Sequence, residues 1–138
     1  MIRFMAGQKG QGKTRKLIDM ANEAVKQADG HLVFIDDDRR HTRDINRDIR
    51  FVEAGKGVLS NYREFVGFIL GILSMDADVE HIYVDGLCNI VKTLDNNESL
   101  QKLNRKLEAI SHRDSVKFTI SVNYEPDTLP DDIQALLM

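Results

Sequence analysis

Short, continuous apolar segments alternate with segments of helical periodicity along this chain. The apolar segments cover residues 2–6, 32–35, 82–84 and 117–122, and glycine, aspartate or other turn residues flank them. Segments of this length predict strands whose two faces are both buried. Residues 50–54 predict a further strand, so that we expect five in total.

Between the strands, apolar residues recur at steps of three and four, which predicts helices. Asn61 and Glu64 form a capping-box pattern that opens a helix over 61–75. That helix is apolar on most faces, so we expect it to be well buried or to contact a second copy of the chain. Asn97 is predicted to cap the next helix, and Pro130 suits the first turn of a final short one.

This alternation of strands and helices predicts the fold class. Strands joined through helices form crossover units, which give a mainly parallel sheet with helices on both faces. We therefore expect an α/β three-layer sandwich around a five-stranded sheet. The 138 residues suit a single domain over 1–138.

Composition excludes several classes of protein. The formal net charge of −3 argues against a dedicated nucleic-acid binder, and no apolar run approaches the roughly 20 residues of a membrane helix. The single cysteine, Cys88, excludes an intramolecular disulfide. With no leader-like segment at the amino end, these features predict a cytoplasmic protein without membrane partners.

One glycine-rich loop carries the clearest chemical signal. It follows the first predicted strand and opens the first predicted helix, a position in which backbone N–H groups and the helix end bind phosphate. Its residues fit G-x-x-x-x-G-K-[ST] at every fixed position: Gly7, Gln8, Lys9, Gly10, Gln11, Gly12, Lys13 and Thr14. We predict that these residues bind a nucleotide, with Lys13 as the catalytic cation and Thr14 as a metal ligand. An incidental glycine-rich turn is the alternative.

The loop resembles the Walker A motif of the P-loop NTPase superfamily. The resemblance implies a second motif, an apolar strand that ends in a magnesium-holding aspartate, and residues 81–85 fit it with Asp85. The layout is similar to that of recombinase-like ATPases and thymidine kinases, and the chain resembles small bacterial ATP-binding proteins. ATP and Mg²⁺ are therefore the expected ligands, with Thr14 and Asp85 on the metal. A solvated aspartate at a strand end is the alternative for Asp85.

The chain departs from many hydrolases of this branch, because Gly86 stands where a water-activating glutamate would follow Asp85. A carboxylate from another strand end could replace it, since parallel strands end at one edge of a sheet. The acidic triplet, residues 36–38, follows the second strand, and we name Asp37 as the candidate catalytic carboxylate. A charged loop in solvent is the simpler interpretation of the triplet. Asn123 is a candidate sensor of the terminal phosphate.

The arginine segment, residues 39–50, holds five arginines and two aspartates. It could supply an arginine finger, a phosphate contact or a nucleic-acid patch. No Phe, Tyr or Trp in it can stack on bases, and its aspartates lower its positive field. A solvated helical turn with local ion pairs is the simpler interpretation.

Two main functions remain open from the sequence. The first is a protein that binds a nucleoside triphosphate, ATP by prevalence, with Mg²⁺, and hydrolyses it slowly or only when a partner completes the site. The second is a small-molecule kinase, because the acidic triplet is similar to the acceptor site of shikimate-type kinases, although no arginine-rich lid follows. A nucleic-acid-associated ATPase is a third, less favoured hypothesis, and we do not expect nucleic acid as a partner. A protein partner or a homo-oligomer stays open.

Overall fold

A computed structural model describes residues 1–94 and 96–138 of the chain. Its strands are β1 (Ile2–Ala6), β2 (His31–Asp36), β3 (Arg50–Glu53), β4 (Val79–Val84) and β5 (Lys117–Val122). Its helices are α1 (Lys13–Val25), α2 (Tyr62–Met75), α3 (Leu87–Ile90), α4 (Asn97–Asp114) and α5 (Asp131–Gln134). The order of the strands and the longer helices agrees with the alternation read from the sequence, whereas the four-residue helix α3 was not predicted.

The five strands form one sheet in the order β1-β5-β4-β2-β3, and every neighbouring pair is parallel. The prediction of a five-stranded, mainly parallel sheet is therefore confirmed. Because all strands run the same way, all of their carboxyl ends lie at one edge of the sheet. β5 lies between β1 and β4, so the segments that follow these three strands are neighbours in space.

Helices cover both faces of this sheet, which makes three layers. On one face, α1 packs against alternate strand residues such as Met5 and Phe34, together with Ile45 and Ile49 of the arginine segment. On the other face, α2, α3, α4 and α5 enclose the larger core. It includes Phe4 and the residues aligned with it on the neighbouring strands, Ile120, Val84 and Ile35. Where a strand is buried on both faces, as β2 is from Leu32 to Ile35, it is continuously apolar.

Two helix starts test the predicted caps. The Asn61 side chain accepts a hydrogen bond from Glu64 N at 3.0 Å, which confirms the cap of α2. For α4 the prediction was wrong by one residue, because Asn96 and not Asn97 is the cap. The extended backbone of Asn96 lets its side-chain oxygen accept from Ser99 N at 2.7 Å.

The expectation that α2 is well buried was wrong. Only Phe65 and Ile69 of this helix are fully buried, whereas Leu70 is 37% exposed and Met75 is 88% exposed. The helix covers the sheet and contacts α4 with one side only, so its outer apolar residues remain at the surface.

The two edges of the sheet differ. At β1, Phe4 N donates to Leu136 O and Met138 N donates to Phe4 O, each at 3.0 Å, so the last residues of the chain pair with that edge. β3 forms the opposite edge. Among the described residues, none of the helices has the length and apolar character needed to cross a membrane.

Candidate functional site

A cleft of about 420 Å³ lies at the carboxyl edge of the sheet. The ends of β2, β4 and β5 and the start of α1 form its walls, so most of the residues singled out in the sequence meet here. The lining includes Lys9, Gly10, Gly12, Lys13, Thr14, Asp36, Asp37, Asp85, Ser121 and Asn123. Segments that lie far apart in the sequence thus converge because parallel strands all end at one edge.

The glycine-rich loop lies between β1 and α1 in a conformation that requires glycine. Gly7, Gly10 and Gly12 have φ values of 151°, 88° and 82°, which residues with a Cβ atom rarely adopt. The Gln11 side-chain oxygen accepts a hydrogen bond from Gln8 N at 2.8 Å and holds the turn. Gly12 caps α1 without a side chain, so no capping group covers the first N–H groups of that helix.

Lys13 reaches back across the loop. Its Nζ donates to the carbonyl oxygens of Gly7 at 2.7 Å and Gln8 at 2.8 Å. Partial burial lowers the pKa of the Lys13 ammonium, and attraction to Asp85 partly offsets that effect. A positive charge is therefore held at the centre of the loop, beside the amino end of α1.

Asp85 is fixed by hydrogen bonds at both of its oxygens. The Thr14 hydroxyl donates to Asp85 Oδ2 at 2.9 Å, and the Ser121 hydroxyl donates to Oδ1 at 3.0 Å. Ser121 in turn accepts from Gly86 N at 2.7 Å. Asp85 is 7% exposed, so the alternative of a freely solvated aspartate does not hold.

The simpler interpretation of the acidic triplet, a charged loop in solvent, is wrong for Asp36 and Asp37. They are only 2% and 3% exposed. Ala54 N and Gly55 N donate to the carbonyl oxygens of these two residues at 2.8 and 3.1 Å. Both residues line the cleft, so their buried carboxylates lie at its wall.

The two buried carboxylates are incompletely hydrogen-bonded. Asp36 Oδ1 accepts from Asp37 N at 2.7 Å, but Oδ2 of each residue is buried without a hydrogen-bond partner among the described residues. Burial raises the pKa of Asp36 to about 8, assisted by the neighbouring Asp37 carboxyl group and the charge of Asp85. Asp36 therefore carries a proton through most of the neutral range.

The remainder of the triplet and the arginine segment form ion pairs at the surface. Arg40 lies 2.8 Å from Asp38 and 4.0 Å from Asp37. The backbone N–H of Arg40 is the main cause of the lowered pKa of Asp38. Arg39 pairs with Glu53 at 3.0 Å. A short 3₁₀ turn at Thr42–Asp44 with local ion pairs is what the simpler interpretation predicted.

Sequence reasoning missed some of the residues that shape the site. Ser121 orients Asp85, and its signal was a hydroxyl one residue before the carboxyl end of β5. Asn89 lines the cleft from α3. By contrast, the predicted binding residue Gln8 turns its side chain away to Glu125, with Nε2 2.7 Å from Oε1.

Comparison with known proteins adds no family assignment. No protein-family model matches the chain, and no curated protein matches its sequence. The function is therefore argued from the residues of the cleft and their geometry.

Proposed function

We propose that this protein binds a nucleoside triphosphate together with Mg²⁺ in the cleft, with ATP as the expected nucleotide. One observation carries the proposal. The Thr14 hydroxyl and the Asp85 carboxylate lie 2.9 Å apart at the start of α1, although they are 71 residues apart in the sequence. Beside them lie Lys13 and a loop with positive φ angles, the groups that bind polyphosphate.

The donor set fits magnesium. Mg²⁺ prefers oxygen ligands and takes one or two carboxylates or hydroxyls together with phosphate oxygens and water. Thr14 and Asp85 supply such oxygens in the cleft, and Ser121 holds the carboxylate in place. Bound there, the ion would neutralise charge that develops on the transferred phosphoryl group.

Hydrolysis by this site should be slow. Asp85 is followed by Gly86, so no glutamate supports an attacking water at that position. Asp37 is the proposed substitute: its carboxylate accepts the water proton while the water oxygen bonds to the terminal phosphorus and the bond to the leaving diphosphate oxygen breaks. Lys13 and the loop N–H groups hold the phosphates during this step. A partner protein that orients the water would raise the rate.

A second candidate is transfer of the terminal phosphoryl group to a hydroxyl acceptor. The observation in its favour is that Asp37 lines both the cleft and a smaller depression beside it. An acceptor in that depression would give its hydroxyl proton to Asp37, and its oxygen would bond to phosphorus in place of water.

Calorimetric titration with ATP and Mg²⁺ tests the first candidate. Lys13→Ala should weaken binding more than about 100-fold, roughly 2.7 kcal/mol, because it removes a charge held among phosphate-binding groups. Lys16→Ala, one turn along the same helix and exposed, is the matched control and should bind as the wild type does. Thermal melting of both variants checks that the fold survives. Equal ATP affinity in wild type and Lys13→Ala would contradict the proposal.

The chemistry is tested by phosphate release and diphosphate formation. Release without any additive supports slow hydrolysis, whereas diphosphate formation that depends on small hydroxyl compounds supports the kinase. Stimulation by DNA would revive the less favoured nucleic-acid hypothesis. Asp37→Asn should lower either rate at least about 100-fold, the lower end of the usual contribution of a general base, with ATP affinity little changed.

A further inference from the structure

A depression of about 230 Å³ adjoins the cleft on the side of the acidic triplet. Its lining consists of Lys9, Asp37, Arg40, Lys56 and Asn89. All of these except Lys56 also line the cleft, so the two spaces are continuous. The volume lies below the roughly 300–1,000 Å³ of pockets for drug-sized ligands, and it suits a small metabolite or part of one.

The turn that carries Lys56 is fixed to the walls of this depression. Gly55 and Gly57, on either side of the lysine, have φ values of 97° and 58°, which favour glycine. Gly55 N donates to Asp37 O at 3.1 Å, and Gly57 N donates to Asn89 O at 2.7 Å. Two lining residues thus hold the turn, and its tight backbone places the lysine beside them.

Positive charge predominates in the depression. Lys9, Arg40 and Lys56 line it together with one carboxylate, that of Asp37, and Asp38 takes one of the three positive charges through its ion pair with Arg40 at 2.8 Å. Asp38 also attracts Lys56 more weakly, which contributes to its lowered pKa. Among the described residues, neither lysine has an ion-pair partner within 4.0 Å. Two ammonium groups are therefore available to an anion, with a guanidinium next to them.

We propose that this cationic depression binds the phosphate group of a second small molecule, next to the proposed nucleotide. The inference rests on the proposed function, because it places the second ligand beside the nucleotide cleft. Lysine ammonium and arginine guanidinium groups donate charge-assisted hydrogen bonds to phosphate oxygens. Asp37 lines both spaces, where its carboxylate can accept a proton from the second ligand.

The test uses inorganic phosphate as the probe. Wild-type protein is first saturated with Mg²⁺ and the β,γ-imido analogue of ATP, so that the glycine-rich loop is filled, and phosphate is then titrated while the amide signals of Gly55 and Gly57 are followed by NMR. We expect saturable shifts. Lys56→Gln should weaken phosphate binding about tenfold or more, with the affinity for the analogue unchanged. Lys92→Gln, whose side chain lies against Gly57 on the same surface, is the control and should behave as the wild type.

Three results would overturn this inference. They are the absence of saturable phosphate binding, equal binding by wild type and Lys56→Gln, and a parallel loss of analogue affinity in Lys56→Gln, which would assign the lysine to the nucleotide. Failure of the analogue to bind wild type would instead refute the proposed function. In that case inorganic phosphate is titrated into Lys13→Ala, in which the loop no longer competes for phosphate, and into the double variant Lys13→Ala with Lys56→Gln. Equal phosphate affinity in these two variants would refute phosphate binding by the depression.

Discussion

Asp36 should make the stability of this protein fall as the pH rises. The side chain is 2% exposed, and its pKa is raised from 3.8 to about 8, chiefly by burial. Between these pH values the unfolded chain is ionised at this position while the folded protein keeps the proton. The free energy of unfolding therefore falls by about 1.4 kcal/mol per pH unit across that window and levels off above pH 8. Between pH 6 and pH 9 the loss is about 3 kcal/mol.

Asp36→Asn removes this dependence with little change of shape. The side-chain oxygen that accepts from Asp37 N at 2.7 Å is retained, but no charge can form. Relative to wild type, the variant should gain about 3 kcal/mol between pH 6 and pH 9. Urea unfolding at the two pH values measures the change, and circular dichroism is the suitable signal because the chain has no tryptophan. EDTA keeps cations off the carboxylates.

Asp38→Asn is the control within the same triplet. A hydrogen bond from Arg40 N lowers the pKa of Asp38, so its charged form stabilises the folded state above the unfolded pKa. The amide variant should be less stable than wild type at pH 9, which is the opposite sign. Should wild type and Asp36→Asn lose the same free energy between pH 6 and pH 9, Asp36 is already ionised and the argument from burial fails.

Two further predictions concern the metal site and the packing. Asp85→Ala should still bind ATP but lose the tightening by Mg²⁺, because the carboxylate that Thr14 contacts is gone; calorimetry with and without Mg²⁺ decides, and an unchanged dependence refutes the assignment. Gly30→Ala would press a Cβ atom against the carbonyl oxygen of Asp78, so the free energy of unfolding should fall by about 1–3 kcal/mol. A urea midpoint equal to that of wild type would show that the turn yields without cost.

Much of the fold could be predicted because it depends on local patterns. A central strand such as β2 lies between two helical layers, so residues 32–35 are continuously apolar and stand out in the sequence. The glycine-rich loop is local too, since its φ angles require glycine at fixed spacing. The degree of burial of α2 was not predictable in this way. An apolar helix is compatible with a core or with a surface, and only its neighbours decide which.

In the candidate site, too, the residues set by local patterns could be predicted, and those set by tertiary contacts could not. Lys13 and Thr14 could be named because one short motif contains them, and Asp85 because it ends an apolar strand. Ser121 could not be paired with Asp85, and Lys56 could not be placed beside Asp37, since those contacts join segments that only the order of strands brings together.

The sequence by itself determined the five strands, their alternation with the longer helices and the loop conformation, because these follow from the apolar period and from where glycine is required. The tertiary structure alone decided the sheet order and the burial of Asp36 and Asp37. The carboxylates are buried where β2 ends between its two neighbouring strands, and neither the acidic triplet nor any neighbouring residue in the sequence indicates this burial. The distribution of charge around the cleft is therefore a property of the fold, because it depends on which strand ends meet and on how much water reaches them.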